Sequence, residues 1–418
     1  MTQNKNILQG YKESFLGIIP KEWEVKRIKD YGKVLTGSTP PTSEQDNYGS
    51  DFLFVSPADL LDKKYITTTE KKLSDKGFSV SRVMPKGTVL FTCIGSTIGK
   101  SGIASTNLTS NQQINAVICN KHNYNEFLYY ELCYKSNRIK LFAGKQAVPI
   151  INKTDFENIS IVCPSLQEQQ KIAEILSIWD VAIEKQTQLI TQLETRKHGL
   201  MQQLLTGKKR VKGFEEKWKK YHLGNLGDTY SGLTGKNKDD FGEGKPYIPY
   251  LNIFNNPKID KTYFEFVKVG TSENQNKTQY GDIFFTVSSE TPNDVGMASV
   301  LLENIEVYLN SFCFGFRLHD FNTLLPEFGC YYLRSEDFRS KIYKLSQGAT
   351  RFNLSKNSLM KLYVVLPTLE EQNAIADILS TADTGIVLAK KKLASLKEQK
   401  KGLMQVLLTG KKRVKYIQ

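Results

Sequence analysis

Apolar side chains recur every three or four residues through two long stretches of this chain. The stretches, residues 164–212 and 367–415, align without a gap at an offset of 203 residues, and 26 of their 49 positions are identical. Such spacing is typical of an amphipathic helix whose apolar seam packs against another helix. The seam positions are Ile172, Leu176, Trp179, Ile183, Gln186, Ile190, Leu193, Lys197, Leu200 and Leu204 in the first stretch, and Ile375, Leu379, Ala382, Ile386, Ala389, Leu393, Leu396, Lys400, Leu403 and Leu407 in the second.

Both stretches carry the expected signals for helix ends. Pro164 and Pro367 stand just before each helix, where a missing N–H group is harmless, and Gly207 and Gly410 stand where each should end. About forty helical residues would span roughly 60 Å. An ordinary core helix or a surface coiled coil would also fit the pattern, but the duplicated seam favours two helices packed on each other.

Two pairs of residues depart from the expected helix pattern at matching positions of the two stretches. Lys197 and Lys400 lie on the seam, where a buried amine must reach water or a partner. Gly199 and Gly402 weaken a helix. We interpret these four residues as candidate contacts for another protein; simple snorkelling of the lysines, or a kink at the glycines, would explain them equally well.

The segment before the first helix predicts a globular α+β domain. Short runs rich in β-branched and aromatic residues, separated by Gly, Pro, Ser and Asn clusters, indicate strands at 52–55, 88–92, 114–118 and 159–162. A helix is expected at 125–142. The segment 213–366 repeats this plan with little identity: it has a strand expected at 281–286, a helix beginning at Pro326 and a last strand at 363–366.

The globular segments have therefore diverged while the helices have stayed alike. One partner that binds both helices, combined with a different target for each globular segment, would produce this pattern.

Composition narrows the choice of partner. The chain has 418 residues, a formal net charge of +14 and a pI of about 9.2, which favours a polyanion, and nucleic acid before a membrane. No run of 18 apolar residues and no signal-peptide core is present, so no membrane association is expected. The six cysteines are scattered without a CxxC pair, which indicates free thiols in a cytoplasmic protein and no metal site.

Several motifs together resemble one family. Both long helices open on P-x-L-x-E-Q-x-x-I-A-x-I-L and close on L-L-T-G-K-K-R, and the first globular segment carries I-P-K-E-W, L-T-G-S-T-P-P (35–41) and S-N-Q-Q-I-N (110–115). In these features the whole chain is similar to the specificity subunit of a type I restriction–modification system. The second segment departs from the pattern, because Leu309-Asn310-Ser311-Phe312 stands where Ser110-Asn111-Gln112-Gln113 would.

The resemblance implies an α+β protein with two target recognition domains, residues 1–163 and 213–366. They would be separated by two long coiled-coil helices, residues 164–212 and 367–418. Antiparallel packing is expected, because parallel helices would require a chain crossing of the full helix length between residues 206 and 367. The globular domains would then be related by a pseudo-twofold axis, with the helices as a ruler between them.

The same resemblance implies the function and the partners. Each domain would read one half of a split sequence in double-stranded DNA, and the chain would have no catalytic activity. It would bind two methyltransferase subunits and two restriction/translocase subunits. S-adenosylmethionine, ATP and Mg²⁺ would be bound by those partners, and no cofactor by this chain.

The catalytic motifs that the sequence suggests are all incomplete. Gly95 to Ser101 resembles a phosphate-binding P-loop but has three residues between its glycines instead of four, so Lys100 is better interpreted as a contact to a DNA phosphate. Asn256-Pro257-Lys258 lacks the aromatic residue of an amino-methyltransferase loop. The four histidines have no neighbours in sequence that would complete a triad or a zinc site. These observations disfavour an enzyme.

Polar loop residues are the candidates for DNA contacts, since Gln, Asn, Ser and Lys suit base edges and phosphates. In the first domain they are Ser38, Thr39, Thr97, Lys100, Asn111, Gln112, Gln113, Lys145 and Gln146. In the second domain they are Lys236, Asn237, Lys238, Ser288, Ser289, Asn293, Gln347, Arg351 and Asn353. Each could instead be a solvated loop residue, and Asn111 could be a buried turn residue. A non-catalytic coiled-coil scaffold that links other proteins remains the alternative function.

Overall fold

The computed structural model describes residues 9–61, 63–143, 148–346, 348 and 351–414 of the chain. The chain forms two compact units: residues 1–186 with 392–418 make the first, and residues 187–391 make the second. Each unit therefore contains one globular segment and about half of each long helix.

The first unit mixes short strands with helices. Its strands are β1 (Tyr11–Ser14), β2 (Gly17–Pro20), β3 (Glu24–Arg27), β4 (Gly32–Thr36), β5 (Tyr48–Val55), β6 (Tyr65–Ile66), β7 (Lys71–Leu73), β8 (Val89–Thr92), β9 (Ser101–Ala104), β10 (Thr109–Ser110), β11 (Ile114–Cys119) and β12 (Ser160–Cys163). The helices are α1 (Ile28–Tyr31), α2 (Asp75–Ser79), α3 (Asn125–Lys140), α4 (Lys153–Asn158) and the long α5 (Leu166–Leu204). The strands and the helix expected from the sequence are confirmed, with ends that shift by a few residues.

A five-stranded sheet in the order β4-β11-β8-β9-β6 forms the centre of this unit, beside a three-stranded sheet in the order β10-β5-β7. β11 runs antiparallel to both β4 and β8. Helix α3 covers one face of the five-stranded sheet, and its buried Phe127, Leu128 and Leu132 join the main core. Because β11 is antiparallel to its neighbours, the C-terminal ends of β4 and β8 lie beside the N-terminal end of β11.

The second unit has the same plan. Its strands are β13 (Lys219–His222), β14 (Gly227–Ser231), β15 (Phe241–Ile248), β16 (Glu265–Val267), β17 (Ile283–Thr286), β18 (Ser288–Ser289), β19 (Ala298–Val300), β20 (Tyr308–Leu309), β21 (Cys313–Leu318), β22 (Phe352–Asn353) and β23 (Tyr363–Leu366). The helices are α6 (Tyr250–Asn255), α7 (Pro326–Tyr332), α8 (Glu336–Leu345), α9 (Lys356–Met360) and the long α10 (Leu369–Leu407).

Its central sheet has the order β14-β21-β17-β19, which corresponds to β4-β11-β8-β9 of the first unit, and its three-stranded sheet has the order β16-β15-β20. The helix expected to begin at Pro326 does so, but it stops at Tyr332 and a new helix begins at Glu336. Ser335 separates the two, because its hydroxyl caps α8 by accepting a hydrogen bond from Phe338 N–H at 3.3 Å.

The two 39-residue helices confirm the predicted seam. None of the seam positions is exposed: Leu176 and Leu379 are fully buried, and Lys197 and Lys400 are half-buried. Within each unit the two helices run antiparallel. In the second unit, for example, ion pairs join Glu194 of α5 to Lys390 of α10, and Lys197 to Asp383.

The helix ends are fixed by the same arrangement of side chains in both units. In the second unit Arg210, which follows α5, binds both carboxylate oxygens of Glu371 at the start of α10, at 2.6 and 2.7 Å. Trp218 donates its indole N–H to the same carboxylate at 3.1 Å. The equivalent set in the first unit is Arg413, Glu168 and Trp23. We call this arrangement the Trp–Glu–Arg clasp.

Within the part of the chain that the structure describes, no helix is both long and apolar enough to cross a lipid bilayer.

Candidate nucleic-acid interface

Three loops of the first unit meet where the strands of its central sheet end. We call them the first loop cluster: residues 36–41, 93–97 and 110–113. Two of them leave β4 and β8, and the third enters β11. Backbone hydrogen bonds join them, from Ser38 N–H to Ser110 O at 2.8 Å and from Cys93 N–H to Gln113 O at 2.8 Å. Polar residues from three distant parts of the sequence thus share one surface.

Asn111 shapes this cluster from inside. Its side-chain oxygen accepts a hydrogen bond from Gln113 N–H at 3.1 Å, and its amide group donates to Gln113 Oε1 at 3.0 Å. The 36–41 loop lies so close that a Cβ atom at Gly37 would stand 2.1 Å from Asn111 O. Asn111 is half-buried and holds the turn of residues 111–113, and a contact between its side chain and DNA stays a prediction.

The polar side chains on the outer side of the cluster are more accessible. Thr39 and Gln112 are exposed, and the Thr39 hydroxyl donates to Gln112 Oε1 at 2.5 Å. Ser38 is half-buried, and its hydroxyl accepts a hydrogen bond from Arg82 N–H at 2.9 Å. Arg82 itself is exposed and was absent from the sequence-based candidates. It lies far from the L-T-G-S-T-P-P motif in sequence, so no local pattern indicated it.

The loop 95–100, which resembles a P-loop, has little capacity to cradle a nucleotide phosphate. Four of its six amide groups are already bonded within the protein. Gly95 N–H donates to Pro149 O at 2.9 Å and Ile98 N–H to Gly95 O at 3.3 Å, while Gly99 N–H donates to Thr92 O at 3.1 Å and Lys100 N–H to Thr97 O at 3.2 Å. The chain continues into strand β9, whereas the helix that follows a P-loop supplies further amides to the phosphates. What the loop offers is the exposed amine of Lys100 beside the half-buried hydroxyl of Thr97.

The second unit repeats the loop arrangement, and we call residues 231–240, 286–294, 309–312 and 351–353 the second loop cluster. Asn310 takes the place of Asn111, because its side-chain oxygen accepts from Phe312 N–H at 2.8 Å. A Cβ atom at Gly232 would stand 2.1 Å from Asn310 O, the same distance as a Cβ atom at Gly37 from Asn111 O. Val287 N–H donates to Phe312 O at 3.0 Å, which matches the bond from Cys93 to Gln113. The correspondence expected between 309–312 and 110–113 is confirmed.

The side chains on this shared framework differ. Phe312 stands where the first unit has Gln113, and its ring is 64% exposed. Sequence reasoning did not propose Phe312, because an aromatic residue beside a strand is normally a core residue.

Five of the other candidates of the second unit lie around the short β18–β22 ladder. Ser288 pairs with Asn353 in this ladder, and the exposed Arg351 precedes it. Asn293 is exposed in the loop that follows β18, and its carbonyl oxygen accepts a hydrogen bond from Arg339 at 2.7 Å. The ladder therefore brings Ser288 and Ser289 together with Arg351 and Asn353, and Asn293 follows in the next loop.

Lys236, Asn237 and Lys238 form a separate part of the second loop cluster. Lys236 Nζ lies 2.6 Å from a carboxylate oxygen of Glu273, and hydrogen bonds from Lys236, the Gly270 amide and Gln275 lower the pKa of Glu273 to about 2. Asn237 caps a short 3-10 turn by accepting a bond from Asp239 N–H at 2.9 Å. Lys238 is exposed, so it is the more accessible of the two lysines. The candidates Lys145, Gln146 and Gln347 lie outside the described residues.

The four candidate partner-binding residues differ in their surroundings: the lysines at 197 and 400 contact other side chains, and the glycines at 199 and 402 do not. Lys197 is paired with Asp383 at 2.5 Å, and Lys400 is paired with Asp180. Each amine also lies over a tyrosine ring, 5.7 Å from the centroid of Tyr331 for Lys197 and 5.3 Å from that of Tyr130 for Lys400. The lysines thus have internal partners. In contrast, a Cβ at Gly199 or Gly402 would meet nothing within 4 Å.

In the described part of the chain, no group of three or more His, Cys, Asp or Glu residues could hold a metal ion.

Comparison with known proteins decides the family. The family model of the type I restriction modification DNA specificity domain matches this chain twice, over residues 20–195 and 215–398. The chain belongs to the type I restriction–modification DNA specificity family. Each match includes one loop cluster and the first part of the long helix that follows it.

Relatives in this family cover nearly the whole chain. The specificity subunit of the type I restriction enzyme MjaVIII from Methanocaldococcus jannaschii is 29% identical over 98% of this chain and 98% of its own length. A type I MjaX specificity subunit from the same organism, itself named putative, is 27% identical over 97% of both chains.

Solved structures show the same fold. A structure of a type I restriction–modification system aligns with a TM-score of 0.63 at 18% identity, covering 94% of this chain and 99% of that chain. The type I S subunit from M. genitalium aligns with a TM-score of 0.55 at 18% identity, covering 98% of both.

Proposed function

We propose that this chain is the DNA specificity subunit of a type I restriction–modification complex and that each unit reads one half of a bipartite target in double-stranded DNA. The observation that carries the proposal is the repeated loop cluster, in which the same backbone bonds support different side chains. A common framework with different polar and apolar groups is what two different base sequences require.

The DNA contacts proposed are the accessible members of the two clusters. In the first unit they are Ser38, Thr39, Thr97, Lys100, Gln112 and Gln113. In the second they are Lys238, Ser288, Ser289, Asn293, Arg351 and Asn353. Asn111, Lys236 and Asn237 support the loops that carry these groups, through the bonds described above. The net charge of +14 provides the sequence-independent attraction to the DNA backbone.

We further propose that the long helices bind two methyltransferase subunits, and that two restriction/translocase subunits join the complex in the cytoplasm. Two equivalent partners fit two equivalent helix surfaces. The glycines at 199 and 402 leave bare backbone at matching positions. Exposed apolar residues of the helices, Ile178 and Val181 in the first unit and Val387 and Leu388 in the second, add surface that is normally covered. S-adenosylmethionine, ATP and Mg²⁺ belong to those partners in this proposal.

Binding measurements separate this function from that of a scaffold protein. The full chain with its methyltransferase partner is titrated with genomic fragments and then with a duplex of the target found by methylation mapping. A specificity subunit prefers one sequence and loses affinity steeply as salt rises, because each neutralised phosphate releases counterions. A scaffold whose positive charge is incidental would bind all duplexes alike.

A further inference from the structure

An open pocket of the first unit adjoins the first loop cluster. Its volume is about 860 Å³, and it is lined by residues 96–101, by residues 60, 61 and 63, and by the face of α3 that carries Tyr129, Cys133, Ser136 and Lys140. Lys63, Lys100 and Lys140 contribute three amines to it, and Ser96, Thr97 and Ser136 contribute hydroxyls. None of the described lining residues is acidic.

The three amines are free to bind an anion. Lys63, Lys100 and Lys140 are all exposed, and within the described residues none of them forms an ion pair. Amines and hydroxyls are the groups that proteins direct at phosphate oxygens.

Glycine brings the loop against the helix. Gly99 has a φ of +101°, and a Cβ there would lie 3.1 Å from Ser136 Cβ of α3. A side chain at this position would be strained and would push the loop away from the helix. The loop and the helix are therefore in contact, and their cations and hydroxyls line the same pocket.

The corresponding region of the second unit is built differently. Gly296 and Met297 take the places of Gly99 and Lys100, since Gly296 N–H donates to Thr286 O and Thr286 N–H to Met297 O, both at 3.1 Å. The preceding loop carries Glu290 and Asp294. The guanidinium of Arg339 donates hydrogen bonds to two backbone oxygens, Gly296 O and Val295 O, both at 2.7 Å.

We propose that the pocket of Lys63, Lys100 and Lys140 is a binding site for a phosphate of the DNA backbone, and that the second unit, which has Met297 in the place of Lys100, does not provide the same site. This inference rests on the proposed function and extends it, because it makes the grip on the two half-sites unequal. The first unit holds the duplex by this backbone phosphate beside its recognition loops, and the second unit depends more on contacts to bases. Four of the six amides of the 95–100 loop are bonded within the protein, which favours a backbone phosphate over a free nucleotide, whose phosphates need such amides.

Salt-dependent DNA binding tests the pocket. Lys100→Gln and Lys140→Gln are compared with Met297→Gln at the matching position of the second unit, and with Lys121→Gln, an exposed lysine beyond the opposite end of β11. The full chain with its methyltransferase partner is titrated with the mapped target duplex and with a scrambled duplex. Each pocket variant should weaken binding to both duplexes by the same factor and reduce the slope of log affinity against log salt by about 0.9. The two controls should leave the slope unchanged.

The outcomes are separable. If the unmodified complex shows no sequence preference, the proposed function itself is contradicted. If it prefers its target but the pocket variants keep its salt slope, only the phosphate site is wrong. Binding of ATP to the full chain that disappears in Lys100→Gln, with the DNA slope unchanged, would assign the pocket to a free nucleotide instead. A methylphosphonate scan of the duplex should find a neutralised phosphate that weakens the unmodified complex but not Lys100→Gln.

Discussion

At the residue scale, single charged groups decide how each unit holds its helix ends and its loops. Glu371 is completely buried, and both of its oxygens are bound by Arg210 while Trp218 donates to one of them. An acidic residue near a helix start complements the macrodipole, and Glu168 and Glu371 also bind an arginine from beyond the end of the other long helix. The same clasp therefore fixes the helix ends in both units.

Removing the clasp carboxylate should destabilise the unit that contains it. Glu371→Gln leaves a partly buried guanidinium without its counter-charge, and we expect a loss of about 2–3 kcal/mol in the free energy of unfolding. Glu168→Gln should behave alike in the first unit. Urea unfolding followed by circular dichroism measures the effect, and Glu370→Gln, an exposed neighbour on the same helical turn, is the control. Equal midpoints for Glu371→Gln and Glu370→Gln would show that the clasp contributes nothing.

The pair between Lys236 and Glu273 should limit the DNA affinity of the second loop cluster. The low pKa of Glu273 means that the pair stabilises the loop above pH 4.5, and that this stabilisation is lost as pH falls toward about 2. At neutral pH the pair is therefore intact. Glu273→Gln releases the Lys236 amine and removes a negative charge, so DNA affinity should rise about fivefold at low salt.

Fluorescence anisotropy with the target duplex at pH 7 measures this change. Glu303→Gln, which breaks an exposed ion pair with Lys261 elsewhere in the unit, should have a smaller effect. If the two variants raise the affinity equally, the gain is one of net charge and not of the released lysine.

At the element scale, helices and strands could be predicted from the sequence more fully than the loops. The seam spacing and the Thr-Gly stops located both long helices to within a few residues, because these signals are local. The break between α7 and α8 was missed, although Ser335 followed by Glu336 and Asp337 is a recognisable helix start.

The candidate site was predicted in part for the same reason. Motif positions indicated the 36–41 and 110–113 loops, but Arg82, Lys63 and Lys140 approach the cluster or its pocket from distant segments. Only the three-dimensional structure brings these residues together. Phe312 was missed because its environment, not its type, makes it a candidate.

The helix glycines provide a prediction at this scale. Because nothing lies within 4 Å of a Cβ at Gly199 or Gly402, alanine at either position should stabilise the chain by about 1 kcal/mol. If these glycines serve a methyltransferase subunit, the same substitutions should weaken its binding.

Gly385→Ala is the matched control. The first helix has Ala182 at the corresponding position, and a Cβ atom at Gly385 would meet nothing within 4 Å. It should give the same gain in stability, read from the melting temperature, and no change in partner affinity, read by calorimetry. Unchanged partner binding in all three variants would remove the glycines from the proposed surface.

At the scale of the whole molecule, the chain contains the same structural arrangement in each of its two units. The two units share their sheet orders, their loop frameworks and their clasps, and they differ in the side chains that the loops present. This combination gives a physical reason for a split target: each unit can change the sequence that it reads without altering the helices that the two units share.

The most direct test of that account replaces residues 20–160 with the equivalent domain of a relative that has a different target. Methylation mapping of genomic DNA from cells that carry the complete system would be compared before and after the replacement. The account predicts a split target in both cases, with one half changed and the other half retained. A contiguous target, or a replacement that changes both halves together, would contradict the assignment of one unit to one half-site.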